Sequence, residues 1–206
     1  MFTYYMPTQV FFGKGCIAES GQVLADLGKR ALLVTGRHSA KVNGSQDAFT
    51  GKLDELGISW YLFDDVENNP SIDTIRRAAA FAKEKGVDFV VGIGGGSPMD
   101  AAKAIALLCT DDLDDEQLFK GPYKKPLPIV AVPTTAGTGS EVTKVSVLTN
   151  VHAGTKQSIN TPLIFPVYAF ADPSFTESVS QTVTIDTAID ALSHAVEAIC
   201  RNSRRL

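Results

Sequence analysis

Cysteine is too sparse and too scattered in this chain to build a disulfide framework. Cys16, Cys109 and Cys200 are odd in number, far apart, and form no Cys-x-x-Cys pair. That pattern suits a reducing compartment, and a cytoplasmic location is expected. Long apolar runs are absent as well. No stretch reaches the roughly 18 residues of a membrane helix, and no membrane partner is expected. The opening MFTYYMPTQVFFGKG has neither a basic start nor an unbroken apolar centre, so it does not read as a secretory signal. Positive charge is not in excess: 19 Lys and Arg stand against 23 Asp and Glu, a formal net charge of −4. No basic stripe of the kind nucleic acid requires stands out, and no nucleic-acid partner is expected. The basic ending RNSRRL reads as a solvated helix end. Repeats and low-complexity segments are missing too. What remains is an ordinary globular composition, 44% hydrophobic and 20% charged over 206 residues, with room for one large or two small domains.

What is present alternates. Short apolar runs at 9–13, 30–36, 58–63, 87–93 and 128–133 read as strands. Between them, 15–28, 45–57, 69–86 and about 98–109 carry helical spacing. The segment 69–86 has Ser71 or Pro70 at its start, Gly86 at its end, and Ile72, Ile75, Ala79 and Ala82 on one face. Strands apolar on both faces, alternating with helices, predict a parallel sheet packed between helix layers. After about residue 140 the pattern changes. KVSVLTN and PVYAFAD read as further strands joined by a Gly/Thr/Ser/Asn-rich loop. From 181 the chain reads as a helix with Ile185, Ile189, Leu192, Val196 and Ile199 on one face.

Three features carry chemistry. The first is GIGGGSPMDAAKA at 92–104, where an apolar strand passes to a helix through Gly94, Gly95 and Gly96. Glycine opens backbone angles closed to other residues and lets a ligand approach the main chain. Ser97 is placed at the N-cap, Pro98 at the first helical position and Asp100 at the third, as in a capping box. A helix start of this kind favours an anion, and a pyrophosphate is the obvious guest. The plainer reading is a tight turn without a ligand, since the spacing only approximates the dinucleotide fingerprint. The second feature is VPTTAGTGSEVT at 132–143, which crowds Thr134, Thr135, Thr138 and Ser140 after a strand. In a parallel sheet both loops lie at carboxyl ends of strands, where ligands collect; a solvated hydroxyl-rich loop is the alternative. The third is Asp190 with His194, four apart in a helix and so on one face. A carboxylate and an imidazole suit a first-row metal, but two such residues also make an ordinary helical contact. His38 and His152 have no neighbours that argue for metal. No nucleophile triad is readable, and no catalytic residue is assigned.

GGGSPMDAAKAIA, PTTAGTGSEVT, FPVYAFADP and DALSHAVEA together resemble the iron-containing (group III) alcohol dehydrogenases, in order, from about residue 7 to 200. The resemblance implies a Rossmann-like parallel α/β cofactor domain over 1–178 and the beginning of an all-helical metal-binding domain over 179–206. It implies hydride transfer between a small alcohol or aldehyde and NAD(P), with a divalent metal lowering the alcohol's pKa. The metal is expected to be Fe2+, with Zn2+ the alternative. Gly94, Gly95, Gly96, Ser97 and Asp100 would hold the pyrophosphate. Thr134, Thr135 and Thr138 would reach toward the nicotinamide, and Lys156 matches a family lysine near its ribose. Asn69 joins the cofactor-binding set. Asp190 and His194 match the first two metal ligands; the family's two further histidines have no counterpart before Leu206. The metal site is therefore expected to be incomplete here and the enzyme truncated. A non-catalytic nucleotide-binding fragment is the alternative function, and a homo-oligomer is expected.

The dinucleotide is read from VTGRHSAK at 34–41. Family members that prefer NAD commonly carry an aspartate after VT, which accepts from the ribose 2′-OH and repels a 2′-phosphate. Here Gly36 opens that space, Ser39 offers a hydroxyl, and Arg37 or Lys41 could pair with phosphate. NADP is expected over NAD.

Overall fold

The computed structural model describes residues 3–151 and 154–203; His152 lies outside them. The elements in chain order are β1 (Gln9–Phe12), α1 (Cys16–Ser20), β2 (Arg30–Thr35), α2 (Ser39–Val42), α3 (Ser45–Glu55), β3 (Ser59–Phe63), α4 (Ile72–Lys85), β4 (Phe89–Gly94), α5 (Gly96–Thr110), α6 (Asp115–Lys120), β5 (Ile129–Pro133), β6 (Val145–Asn150), β7 (Thr155–Asn160), β8 (Tyr168–Ala171) and α7 (Gln181–Ser203). Six strands form a parallel sheet in the order β1-β8-β5-β4-β2-β3. This is the parallel sheet between helix layers that the alternation predicts, and the Rossmann-like fold that the resemblance implies.

Period-two alternation along the central strands builds a core on each face. Ala31, Leu33, Phe89, Val91 and Ile93 pack with Ile17, Phe49 and Leu53 from α1 and α3. Leu32, Val34 and Val90 pack with Ile75, Ala79, Ala101 and Ile105 from α4 and α5. Helix α4 is bounded as its sequence predicts. The Ser71 hydroxyl accepts from the Thr74 N–H, and Gly86 closes the helix in the left-handed region at φ +60°.

Helix α5 is the centre of the molecule. Ten of its residues are buried, most of them Ala, Ile, Leu or Met, because the sheet, α4 and strand β6 of the β6–β7 hairpin all pack on it. On β4 the positions facing α5 are 90, 92 and 94. A side chain at Gly92 would lie 2.9 Å from the Met99 Cα and 3.0 Å from the Ala102 Cβ, and one at Gly94 would lie 2.7 Å from the Pro98 Cγ. The strand gives up two side chains so that the helix can sit directly on it.

Three expectations need correction. The helix read over 15–28 breaks after Ser20 into a 3-10 stretch at Gly21–Asp26. Gly21 is where the Lys52 stem crosses, 2.7 Å from the position of an added Cβ. The capping box at Ser97 and Asp100 does not form: α5 starts at Gly96, with Gly95 at the N-cap and no side-chain cap. Ser97 and Asp100 are engaged elsewhere, as described below. The polar loop after residue 150 contains β7, which pairs antiparallel with β6 in a separate two-stranded sheet. Only Ile159 of β7 is buried, so no apolar alternation announces it. In α7 the expected apolar face forms, and Ile185, Ile189, Leu192, Val196 and Ile199 are 50–69% exposed.

The tight β4–α5 contact sets a stability test. Gly92→Ala should destabilise the chain by about 1–3 kcal/mol, because the added methyl overpacks helix backbone. Gly51→Ala, in α3 with open space at its Cβ, should stabilise by up to about 1 kcal/mol. Urea unfolding of both variants checks the pair; equal midpoints would contradict the packing account.

Candidate functional site

The sheet reverses its winding between β2 and β4. Strand β2 leads to β3 on one side, while β4 leads to β5 and on to β8 on the other. Loops leaving the carboxyl ends there diverge and open a crevice, the usual ligand position in such sheets. A cleft of about 360 Å³ lies at this point, and Gly36, Ser39, Gly95, Gly96, Ser97, Thr134 and Thr135 line it. A second cleft of about 740 Å³ is lined by Asn69, Gly96, Asp100, Thr138, Asp190 and His194, among others. Gly96 borders both.

The glycines at 95 and 96 serve these clefts. Side chains there would meet the Thr135 Oγ1 at 3.2 Å and the Thr138 Cγ2 at 3.0 Å. Glycine thus lets the threonine loop close over the start of α5. No side chain caps that helix, its first residues Gly96 and Ser97 line the crevice, and the partial positive charge of a helix start suits an anion. Gly94 lies behind this turn against Pro98, and Lys41 is exposed on α2; neither lines either cleft.

Asn69 ties three segments together. It stands at φ +58°, a left-handed conformation that asparagine tolerates better than most residues. Its N–H donates to the Ser97 Oγ at 3.1 Å, its carbonyl accepts from the Thr149 Oγ1 at 3.0 Å, and its Oδ1 accepts from the Lys156 Nζ at 2.8 Å. Asp100 faces the hairpin instead of the helix end. Its carboxylate accepts from the Ser140 Oγ at 2.6 Å and the Val147 N–H at 3.0 Å. Burial pushes its pKa up, against the Ser140 hydrogen bond and the nearby Lys103 charge.

Sequence reading missed Lys103. It is fully buried in α5 and donates to the Ser140 Oγ at 2.8 Å, the Thr143 Oγ1 at 3.2 Å and the Val145 carbonyl at 2.7 Å. Burial pushes its pKa down to about 8, with the Asp100 and Glu141 carboxylates opposing. A lysine inside the apolar run AAKAIALL was the available signal.

Arg37 donates to the Asp65 Oδ1 at 2.6 Å through Nη2, and Arg77 reaches the Asp65 Oδ2 at 3.1 Å. These two guanidiniums hold the Asp65 carboxyl below its ordinary range. On α7, the His194 Nε2 lies 3.6 Å from the Asp190 Oδ1, with both side chains partly exposed beside the larger cleft. Two ligand atoms about 2.1 Å from one tetrahedral ion stand about 3.4 Å apart, so the pair fits a shared metal. Among the described residues no group of three or more His, Cys, Asp or Glu side chains is placed to hold one.

The family model for iron-containing alcohol dehydrogenase matches residues 7–173. The chain belongs to the iron-containing alcohol dehydrogenase family. Among its relatives in that family, NADH-dependent butanol dehydrogenase A of Clostridium acetobutylicum is 37% identical, over 96% of this chain and 51% of that protein. Choline dehydrogenase of Bacillus subtilis is 38% identical, over 95% of this chain and 50% of that protein. The crystal structure of an iron-containing alcohol dehydrogenase from Thermotoga maritima superposes with a TM-score of 0.90 at 50% identity, covering 96% of this chain and 55% of that one. The chain spans about half the length of the curated relatives it matches.

Proposed function

We propose that this chain is the nucleotide-binding part of an alcohol dehydrogenase that moves a hydride between a small alcohol or aldehyde and a nicotinamide dinucleotide. The observation that carries the reading is the crevice at the switch point, with an uncapped helix start and two side-chain-free residues facing it. In this reading Gly95, Gly96 and Ser97 offer main-chain N–H groups to the diphosphate, with Gly94 shaping the turn. Thr134 and Thr135 bound the same cleft. Thr138, Asn69 and Lys156 border the nicotinamide half, and Asp100 braces it from below. Asp190 and His194 contribute two metal ligands, iron being the expected ion. When bound, the nicotinamide supplies a hydride acceptor and the metal supplies Lewis acidity at the alcohol oxygen. The chain's own residues bind, orient and exclude water.

Residues 1–178 form the dinucleotide unit in this reading, and 179–206 begin a helical metal-binding unit. The exposed apolar face of α7 and the exposed edge of β1 support a homo-oligomer. The three cysteines carry no disulfide, which supports a cytoplasmic setting. No helix among the described residues is long and apolar enough to cross a membrane.

NADP remains the proposed dinucleotide, although several relatives carry NADH in their names. Gly36 presents no carboxylate, and the nearest atom to a side chain there would be the Val66 carbonyl at 3.5 Å. Asp65, one of the acidic residues close by, is ion-paired with Arg37 and Arg77. Ser39 lines the cleft, and Lys41 stands on the same short helix.

Three measurements test this reading. Gly95→Val puts a branched side chain against the threonine loop and should weaken NADP binding more than tenfold, about 1.4 kcal/mol; unchanged affinity by calorimetry would remove the diphosphate assignment. Wild type should bind NADP more tightly than NAD, and Gly36→Asp should reverse or erase that preference. Equal wild-type affinities would defeat the NADP assignment. With only two ligands in reach, this chain should lose Fe2+ or Zn2+ on dialysis against chelator and show little alcohol oxidation. Stoichiometric metal surviving dialysis would contradict that, unless a second copy supplies ligands.

A further inference from the structure

Lys103 is fully buried in the most apolar helix of the fold, and all three of its ammonium protons are used. A buried ammonium is costly unless paired and fully hydrogen-bonded. A hydrophobic side chain would fill the same space without that cost, so its partners are informative. None of the three belongs to the main sheet. Ser140 and Thr143 lie in the loop after β5, and the Val145 carbonyl opens β6. One turn earlier, Asp100 holds the same segments: it accepts from Ser140 and Val147, and its main-chain carbonyl accepts from the Ser146 Oγ at 2.7 Å.

These segments carry one half of the groove. The Ser140 N–H donates to the Thr138 Oγ1 at 3.3 Å, and Thr138 is the residue closing over Gly96. Strand β6 sets the register of β7, pairing Thr149 with Lys156, whose ammonium reaches Asn69. The other half depends on different elements. Gly36, Ser39 and Gly95 sit at the ends of main-sheet strands or on the helices that follow them.

We propose that Lys103 is a positioning residue for the nicotinamide half of the groove, clamping the 138–143 loop and the β6–β7 hairpin onto α5. This rests on the dinucleotide reading above. It goes further in assigning separate supports to the two halves: the adenosine diphosphate half is held by the sheet, and the nicotinamide half by Asp100 and Lys103 on α5, with Lys103 the buried cation of the pair. Without that cation Thr143 and the Val145 carbonyl lose a buried partner, and the loop and hairpin shift relative to the helix start.

The test compares NADP with 2′-phospho-ADP, which lacks the nicotinamide riboside, by calorimetry on the 206-residue chain. Lys103→Met keeps the buried stem and removes the charge. It should weaken NADP at least fivefold, leave 2′-phospho-ADP within twofold, and abolish the emission shift of bound NADPH. Thr143→Val removes one acceptor without touching the ammonium and should give the same selectivity, at about twofold or more, should Lys103→Met fail to fold. Equal losses for both ligands, or no loss for either, would overturn the proposal, since a merely structural lysine does not separate the two halves. If wild type binds NADP no more tightly than 2′-phospho-ADP, the clamp has no nicotinamide half to position and the proposal falls. Should wild type bind NAD in place of NADP, NAD and ADP serve as the pair; if it binds none of the four, the dinucleotide reading itself falls and takes the proposal with it.

Discussion

The structure depends on how closely α5 lies on β4. Gly92 and Gly94 remove the side chains that would hold strand and helix apart, and Pro98 and Met99 fill the space. The approach is tight enough that a single methyl at either position meets helix atoms. Because α5 is pinned there, its first turn opens at the sheet's switch point and its flank is available to the β6–β7 hairpin. The helix therefore serves both clefts: its N-terminus borders one, and Asp100 and Lys103 on its side hold the loop and hairpin that border the other.

That arrangement assigns separate work to neighbouring glycines. Positions 92 and 94 serve packing, while 95 and 96 serve the approach of the threonine loop. A run that reads in sequence as one ligand-binding motif is in space a packing device followed by a cleft wall. Charge is divided as sharply. Arg37, Asp65 and Arg77 form an exposed ion-paired cluster beside Gly36, where solvent screening makes each contact weak. Lys103 is buried and Asp100 mostly so, where few groups can answer them and each hydrogen bond matters more.

The main sheet and its helices were legible because parallel strands buried on both faces are continuous apolar runs, and α4 carries both its cap and its terminal glycine. The two candidate loops were legible as clusters of glycine and threonine at strand ends. Lys103 was not, since its significance lies in partners about 40 residues away that no spacing reveals. Strand β7 escaped because its residues are polar and mostly exposed. Helix α6 escaped although Asp114 and Gln117 form a reciprocal capping box that their spacing announces. Ser97 and Asp100 misled in the opposite direction: they have capping-box identities, but tertiary partners on Asn69, Ser140 and Val147 claim them.

The most direct test of the central claim, that the start of α5 at the switch point is the diphosphate site, is an amide chemical-shift titration of the isotopically labelled chain with NADP. The account predicts the largest movements at the N–H groups of Gly95, Gly96, Ser97 and Thr135, with α1 and β1 nearly unmoved. Saturable shifts confined to other surfaces, with these four amides unchanged, would contradict it.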